Sequence, residues 1–552
     1  MAEQNFDPMN VGEAYIEFMQ QTMSDPHKFW EAQTQYWQKY MNIWQESTRK
    51  FMGEQSKTII EPEKGDRRFK AKEWQESALF DFIKQSYLLT ADWMEDTVRG
   101  TDGLETQNKE KLAFYTRQFA NALSPTNFVM TNPDVLKETM KTGGQNLIKG
   151  FENLIEDIER GGGELKISTT DYKAFQPGEN LATTPGKVIY QNDLMQLIQY
   201  EPTTEKVFKR PLLVVPPWIN KYYILDLRED NSFIRYAVAQ GHTVFAISWV
   251  NPSAELAQKR FEDYMKEGII APLDEIKKAT GEPDCNVVGY CLGGTLLTTA
   301  LAYMAQHGQE NRVASATFLT TLLDFEEAGE MKIFMDEGQL ELMNRAMAEK
   351  GVLQAKELQK TFSLLRSNDL IWSFVVNNYL MGKEPFPFDL LYWNDDSTNM
   401  PAAMHSFYLR KMYRDNLLTQ PGGISMDDTP IDITKVKTPA YFLSTREDHI
   451  APWKATYAGT QLLSGPKTFT LAASGHIAGV VNAPVKNKYC YWSADKTPKE
   501  PDNWIKDAKE NAGSWWPHWQ EWLKQHGGKK VPARKIGKSI EAAPGSYVKV
   551  QS

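Results

Sequence analysis

The spacing of hydrophobic positions along the chain changes near residue 160. Up to about residue 165, apolar and aromatic side chains recur at helical spacing and strand signals are few. The run Arg160-Gly-Gly-Gly-Glu interrupts this pattern, and short apolar runs of strand type follow it. The pattern predicts a mostly helical N-terminal domain over residues 1–165 and an α/β domain over residues 166–552.

The second region contains strands that alternate with helices. Two runs, Lys187-Val-Ile-Tyr and Leu194-Met-Gln-Leu-Ile-Gln-Tyr, predict an opening pair of strands that form a hairpin around Gln191-Asn-Asp. From residue 212 to residue 321, apolar strand-like runs alternate with helical patterns, and Pro439-Ala-Tyr-Phe-Leu and Lys467-Thr-Phe-Thr-Leu add two more strands. Such alternation is typical of a mostly parallel sheet covered by helices.

Residues 325–430 interrupt the alternation. This stretch is rich in Met, Phe and Leu at helical spacing, and it also contains the proline-rich run Glu384-Pro-Phe-Pro-Phe. We interpret it as a cap inserted into the α/β domain, which acts as a lid over the active site. Trp393, within the cap, is a predicted wall of the substrate pocket.

An aromatic stripe marks the predicted helix around residue 37. Its members fall near helical spacing and are Phe29, Trp30, Tyr36, Trp37, Tyr40, Met41 and Trp44. Two interpretations stay open at this point. The stripe packs against its own domain, or it meets an apolar surface or partner, where Trp and Tyr are favoured because one end of the ring is apolar and the other polar.

Composition narrows the class of protein. The 552 residues carry a net charge of −9, which argues against a nucleic-acid surface as the main binding site. Three cysteines make no disulfide framework, so a reducing cytoplasm is the expected compartment. The sequence contains no Cys/His cluster, so we predict neither a metal site nor a cofactor. It contains no run of about 18 apolar residues, so we predict no transmembrane segment.

The candidate chemistry centres on one cysteine. Val287-Val-Gly-Tyr-Cys-Leu-Gly-Gly is an apolar strand that ends in G-x-C-x-G and leads into a helix-compatible run. This is the strand, turn and helix context in which α/β-hydrolases hold their nucleophile, with a thiol here in place of the usual serine. Cys291 is therefore the predicted nucleophile. The same context predicts an α/β-hydrolase fold, to which the insertion of residues 325–430 adds a helical cap.

A thiol nucleophile needs a base and a group that orients the base. Asp448 and His476 each follow a predicted strand, and the order Cys291, Asp448, His476 is that of the α/β-hydrolases. Glu447 and Asp324 stay open as rival acids, and Asp324 is the stronger of the two because it follows an earlier strand.

An oxyanion site is expected beside the nucleophile. The backbone N–H of Leu292 would be one donor, because it directly follows the nucleophile at the start of a helix. The amide of Ile219 is the second candidate, in the loop Pro216-Pro-Trp-Ile-Asn-Lys after the strand Leu212-Leu-Val-Val. Two prolines stiffen that loop.

Several longer runs identify the chain as similar to one family. It resembles the polyhydroxyalkanoate synthases, specifically class I, the poly(3-hydroxybutyrate) polymerases, over almost its whole length. The runs that carry the resemblance are Pro216-Pro-Trp-Ile-Asn-Lys-Tyr-Tyr-Ile-Leu-Asp-Leu, Gly289-Tyr-Cys-Leu-Gly-Gly-Thr, Tyr392-Trp-Asn-Asp-Asp-Ser-Thr-Asn, Glu447-Asp-His-Ile-Ala-Pro-Trp, Ser474-Gly-His-Ile-Ala-Gly and Gly513-Ser-Trp-Trp-Pro.

The resemblance implies a function and partners. The implied substrate is (R)-3-hydroxyacyl-CoA, with short-chain units such as 3-hydroxybutyryl, and the products are polyester and free CoA. Cys291 would carry the acyl group, His476 would be its base and Asp448 the third member. A homodimer on the surface of a cytoplasmic polyester granule is implied, with phasin-type granule proteins as partners.

Two alternatives remain. Dienelactone hydrolases are similar in G-Y-C-x-G-G, so a cysteine-dependent hydrolase or thioesterase is one reading. The N-terminal region and the cap exceed what such a compact enzyme needs. The other alternative is a granule-associated scaffold that has lost catalysis, and the intact set Cys291, Asp448 and His476 argues against it.

Overall fold

The computed structural model describes residues 11–551, in which the chain divides into two compact units. The first unit joins Met1–Asp171 with the later segment Lys360–Pro387. The second unit joins Tyr172–Gln359 with Phe388–Ser552. The predicted cap of residues 325–430 is therefore divided between the two units, while its role as a lid stays a prediction.

Helices build the first unit. They are α1 (Gly12–Ser24), α2 (Pro26–Phe51), α3 (Glu73–Glu76), α4 (Ala78–Gly100), α5 (Thr106–Ala122), α6 (Pro133–Thr142) and α7 (Gln145–Arg160). Helix α2 begins with Pro26 at its first position, and the Asp25 carboxylate accepts a hydrogen bond from the Lys28 amide at 3.4 Å. The prediction of a helical N-terminal region is confirmed.

The aromatic stripe of α2 has two sides. Tyr36 packs against Trp93 of α4, with ring centroids 5.2 Å apart. Trp30, Trp37 and Trp44, which are spaced seven residues apart, are instead 65%, 52% and 51% exposed. Both interpretations from the sequence thus describe part of the stripe, since one side packs on its own unit and the other faces solvent.

Helix α7 buries its polar side. Asn146, Asn153 and Asp157 lie on one face of this amphipathic helix, and all three are buried. The Asn153 amide donates to the carbonyl oxygens of Asn378 and Lys383 at 3.0 and 3.1 Å. This polar face therefore holds the segment Lys360–Pro387, which contains α-helical and π-helical turns.

An eleven-stranded sheet forms the centre of the second unit. Its strands are β1 (Gly186–Gln191), β2 (Met195–Tyr200), β3 (Leu212–Val215), β4 (Val244–Trp249), β5 (Cys285–Tyr290), β6 (Val313–Leu319), β7 (Ala440–Thr445), β8 (Lys467–Ala472), β9 (Cys490–Ser493), β10 (Lys509–Ala512) and β11 (Glu541–Ala542). Their order across the sheet is β10-β9-β8-β7-β6-β5-β3-β4-β2-β1-β11.

The six central strands, from β4 to β8 in that order, are parallel, and the outer pairs are antiparallel. The residues of β3, β4 and β5 are all buried, as expected for a parallel sheet covered on both faces. The predicted mostly parallel sheet and the opening hairpin β1–β2 are confirmed.

Further helices lie between or after the strands along the chain. They are α8 (Phe233–Ala239), α9 (Phe261–Met265), α10 (Ala271–Thr280), α11 (Leu292–Gln306), α12 (Glu337–Lys350), α13 (Ala355–Leu365), α14 (Asp389–Asp395), α15 (Ala402–Tyr408), α16 (Trp453–Leu462), α17 (Pro501–Asp507) and α18 (Trp516–His526). Those from α12 to α15 belong to the insertion. A π-helical turn, Leu409–Arg414, continues α15. Among residues 11–551, no helix has the length and apolar character needed to cross a bilayer.

Candidate active site

Cys291 sits on a sharp turn between β5 and α11. Its backbone has φ 52° and ψ −119°, a conformation that costs energy for a residue with a side chain. A Cβ on Gly293 would come within 2.1 Å of the Val215 carbonyl oxygen, and one on Gly289 within 2.5 Å of the Gly294 Cα. Glycine is required at both positions because helix and strands approach closely. The predicted strained elbow is present.

His476 and Asp448 lie in direct contact. The distance from His476 Nδ1 to Asp448 Oδ2 is 2.7 Å, and Oδ2 also accepts a hydrogen bond from Thr445 Oγ1 at 3.1 Å. Asp448 Oδ1 accepts from the amides of Ile450 and Ala451 at 2.9 Å each. Both oxygens of this buried carboxylate are thus occupied by donors, which fixes the face it turns to the imidazole.

The electrostatics of His476 depend on both of its neighbours. Burial disfavours the protonated ring, but Asp448 and Cys291 outweigh burial and raise the pKa of His476 from 6.5 to about 10. The Tyr290 ring stacks on His476 with centroids 5.7 Å apart, and its hydroxyl donates to the His476 carbonyl at 3.3 Å.

The loop of residues 216–220 lies beside the elbow. The tight approach of Gly293 to Val215 brings the end of β3 against the first turn of α11. The Trp249 indole N–H donates to the Pro216 carbonyl at 2.9 Å and so holds the start of the loop. In the described part of the chain, the amides of Ile219 and Leu292 donate to no backbone acceptor. These two amides keep donor capacity next to the thiol-bearing turn.

The other candidate residues lie elsewhere. Asp324 Oδ1 accepts from the Asn416 side chain at 2.8 Å, and Glu447 is exposed. Only Asp448, of the three candidate acids, contacts His476. Trp393 is buried, and its indole N–H donates to the carbonyl of Lys221, directly after the loop of residues 216–220, at 2.7 Å. Its role as a pocket wall stays a prediction.

Two tyrosines that lie near the thiol were not predicted from the sequence. Tyr408 and Tyr413 are buried, and their rings lie 5.5 Å apart at 90°. Burial, together with the charge of the nearby Cys291, raises the pKa of both phenols above 10, so both stay protonated. Tyr408 lies in α15 and Tyr413 in the π-helical turn after it, and both belong to the insertion. The only sequence signal for them is the helical spacing of apolar and aromatic residues in that stretch.

Comparisons with known families match both parts of the chain. Residues 65–237 match the family model described as Poly-beta-hydroxybutyrate polymerase (PhaC) N-terminus. Residues 218–483, which contain the elbow, Asp448 and His476, match the model of the alpha/beta hydrolase fold.

Full-length relatives are similar over most of the chain. The Poly(3-hydroxyalkanoate) polymerase subunit PhaC of Rhizobium meliloti is 48% identical over 96% of this chain and 87% of its own length. The Poly(3-hydroxyalkanoate) polymerase of Methylorubrum extorquens is 48% identical over 96% and 88%. The corresponding PhaC subunit of Cupriavidus necator is 43% identical over 88% and 83%.

Proposed function

The chain belongs to the poly(3-hydroxyalkanoate) polymerase family, and we propose that it builds polyester from (R)-3-hydroxyacyl-CoA through an acyl group held on Cys291. The observation that carries this proposal is the 2.7 Å contact between His476 and Asp448, beside an α/β-hydrolase elbow whose Cys291 helps to raise the pKa of the imidazole. A base paired with a thiol and oriented by a carboxylate is the arrangement that nucleophilic acyl transfer needs.

The first step loads the cysteine. His476 takes the proton from Cys291, and the sulfur attacks the thioester carbonyl carbon of the substrate. The carbonyl oxygen becomes an oxyanion, which the amides of Leu292 and Ile219 stabilise. The C–S bond to CoA then breaks, CoA leaves with a proton from His476, and the acyl group stays on Cys291. A thiol suits this exchange because one thioester replaces another with little change in bond energy.

The second step forms the ester bond. The 3-hydroxyl oxygen of another acyl-CoA attacks the Cys291 thioester while His476 accepts the hydroxyl proton. The C–S bond breaks, the thiol recovers the proton, and the lengthened chain, still a CoA thioester at one end, can load the cysteine again. We assign Asp448 the role of orienting His476 rather than of acting on the hydroxyl, because four donors already occupy its oxygens.

Polymerisation requires that the 3-hydroxyl of the substrate react with the acyl-cysteine faster than water does. We propose that the buried Tyr408 and Tyr413 and the insertion that carries them keep water from the acyl-cysteine, in the manner of a lid. We also propose class I specificity for short-chain units, because Tyr290 and Leu292 around the nucleophile resemble that class.

The products distinguish this function from hydrolysis. Incubation of the parent protein with (R)-3-hydroxybutyryl-CoA should release CoA and leave insoluble polyester. The Cys291→Ala protein should release no CoA. Cys490→Ala, which removes a partly buried thiol on β9, is the matched control and should retain activity. Free 3-hydroxybutyrate without polymer would show a hydrolase instead, and CoA release by the Cys291→Ala protein would exclude the acyl-cysteine.

A granule-surface location in the cytoplasm is also proposed, with α2 as the contact. Its exposed indoles have no charge on the same stripe, and neutral exposed amides of Gln38 and Asn42 lie among them. A polyester surface offers only apolar groups and carbonyl acceptors, which aromatic rings with N–H donors and side-chain amides complement. We further propose that the chain forms a homodimer and recruits phasin-type proteins, as the family resemblance implies.

Partitioning onto polymer tests this surface. The triple change of Trp30, Trp37 and Trp44 to serine should lower co-sedimentation with poly(3-hydroxybutyrate) particles at least fivefold while leaving the rate of CoA release per enzyme unchanged on soluble substrate. Phe151→Ser on α7, also an exposed aromatic, is the control and should sediment normally. Equal sedimentation of the triple variant and the parent would contradict the proposal.

A further inference from the structure

One threonine holds the peptide unit that joins Trp218 to Ile219. Thr398 Oγ1 donates to the Trp218 carbonyl at 2.6 Å, and the Thr398 amide donates to the Ile219 carbonyl at 3.2 Å. Thr398 is 1% exposed, so water does not compete for these bonds. In a planar trans peptide, the carbonyl of one residue and the N–H of the next point in opposite directions. A bond that fixes the Trp218 carbonyl therefore fixes the direction of the Ile219 amide.

A buried ion pair anchors the same loop three residues beyond Trp218. Lys221 Nζ lies 2.5 Å from Asp396 Oδ1, and the two side chains are 2% and 7% exposed. The Tyr223 hydroxyl donates to Asp396 Oδ2 at 2.8 Å, and the Trp393 indole donates to the Lys221 carbonyl at 2.7 Å. Residues 393–398, which we call the brace, therefore bind the loop through side chains and backbone together.

The brace is better suited to fixing a conformation than to adding stability. A buried ion pair contributes little net stability, because taking both charges out of water offsets their attraction. Every brace contact described above ends on residues 218–223, directly after the strand that abuts the nucleophile turn. An oxyanion donor works only when its N–H already points at the place where charge develops. Fixing the conformation of this loop is therefore expected to lower the reaction barrier more than it raises the stability of the fold.

We propose that Thr398 is a positioning residue for acyl transfer, acting through the Trp218–Ile219 peptide unit to hold the Ile219 amide toward the oxyanion, with Lys221 and Asp396 as its anchor. Thr398 touches no reacting atom. This inference rests on the proposed function, since the oxyanion forms only if a thioester is attacked by Cys291.

Two rates separate positioning from structure. The first is CoA release from (R)-3-hydroxybutyryl-CoA in a single turnover, which passes through the oxyanion. The second is alkylation of Cys291 by iodoacetamide, which displaces iodide at a saturated carbon and forms no oxyanion. Thr398→Val removes the hydroxyl at nearly constant volume, and Thr398→Ser restores it. Thr460→Val is the matched control, because the buried Thr460 hydroxyl also donates to a carbonyl, that of Tyr457, at 2.6 Å.

We expect Thr398→Val to slow CoA release by about 10- to 100-fold, below the roughly 100- to 1,000-fold effect of removing an oxyanion donor outright. Its alkylation rate should stay within about twofold of the parent, and Thr398→Ser and Thr460→Val should resemble the parent in both rates. Trp393→Phe removes the bond to Lys221 but keeps an aromatic ring. It should show the same separation of the two rates, and it serves if Thr398→Val does not fold.

Three results would overturn the inference. Unchanged CoA release by both the Thr398→Val and Trp393→Phe proteins would remove the positioning role while leaving the proposed function intact. Equal slowing of CoA release and alkylation would show a general structural effect. A parent protein that releases no CoA would instead refute the proposed function and, with it, this role.

Discussion

Replacing Asp448 by asparagine probes the orientation of the base with little change in shape. The carboxylate receives two backbone amides on Oδ1, and Thr445 and His476 on Oδ2. An asparagine must place its NH2 group at one of these two positions. If the NH2 group faced the fixed amides of Ile450 and Ala451, these buried donors would lose their acceptor, at a cost of about 1–3 kcal/mol each.

The other orientation is therefore favoured and changes the tautomer of the base. With the NH2 group toward His476, Nδ1 must accept a hydrogen bond and the ring proton moves to Nε2. A ring protonated on Nε2 cannot take the proton of Cys291. The same change in a Ser-His-Asp triad lowers kcat about 10⁴-fold. We expect a loss of about 10³- to 10⁴-fold here, equivalent to roughly 4–5.5 kcal/mol in the barrier.

Single-turnover CoA release from (R)-3-hydroxybutyryl-CoA measures this loss directly. Asp324→Asn is the matched control, because the half-buried Asp324 also accepts a side-chain hydrogen bond, from Asn416, but does not contact His476. The control should react within about threefold of the parent. A folded Asp448→Asn protein that keeps more than a tenth of the parent rate, or an equal loss in the control, would refute the assigned orientation of the base.

Three further outcomes follow from contacts in the second unit. Lys221→Met leaves a buried carboxylate without its cation and should lower the free energy of unfolding by about 3–5 kcal/mol in denaturant titration; a loss below 1 kcal/mol would contradict it. Burial lowers the pKa of His405 from 6.5 to about 4, so its contribution to stability is complete above pH 6.5 and falls as the pH drops toward 4, by up to about 3 kcal/mol. The free energy of unfolding, measured between pH 6.5 and 4, should depend less steeply on pH in His405→Leu than in the parent. An equally steep dependence in the variant would contradict the lowered pKa of His405. Gly293→Ala places a Cβ 2.1 Å from the Val215 carbonyl and should slow CoA release at least tenfold, whereas Gly537→Ala, which meets open space, should not; equal rates would contradict the close packing.

The sequence predicted the central sheet because each parallel strand is a short run of mostly apolar residues. β3, β5 and β7 were all found this way. The outer strands β9 and β10 were missed, because the residues of β9 are only partly buried and those of β10 are mostly exposed. No local pattern separates such strands from surface loops.

Helix α7 shows why the division of the insertion could not be read from sequence. Asn146, Asn153 and Asp157 look like an ordinary solvent face, and its apolar residues look like the buried one. In the structure the polar face is buried against Lys360–Pro387, because its amides satisfy the carbonyls of that segment. Periodicity identifies a face but not which face finds a partner.

The candidate site divides in the same way. Cys291, Asp448 and His476 follow strand ends with a local signature, and the structure brings Asp448 and His476 within 2.7 Å. Thr398 and Lys221 have no such signature, because their contacts join residues more than 170 positions apart. Only the folded chain reveals that their contacts hold residues 218–223 against residues 393–398.

The most direct test of the proposed function is to find which residue carries the acyl group. The protein is mixed briefly with (R)-3-hydroxybutyryl-CoA, quenched in acid and mapped by peptide mass spectrometry. We predict a 3-hydroxybutyryl group, and longer oligomers at later times, on Cys291 alone. CoA release with an unmodified Cys291, or with the acyl group on another residue, would contradict the proposed function.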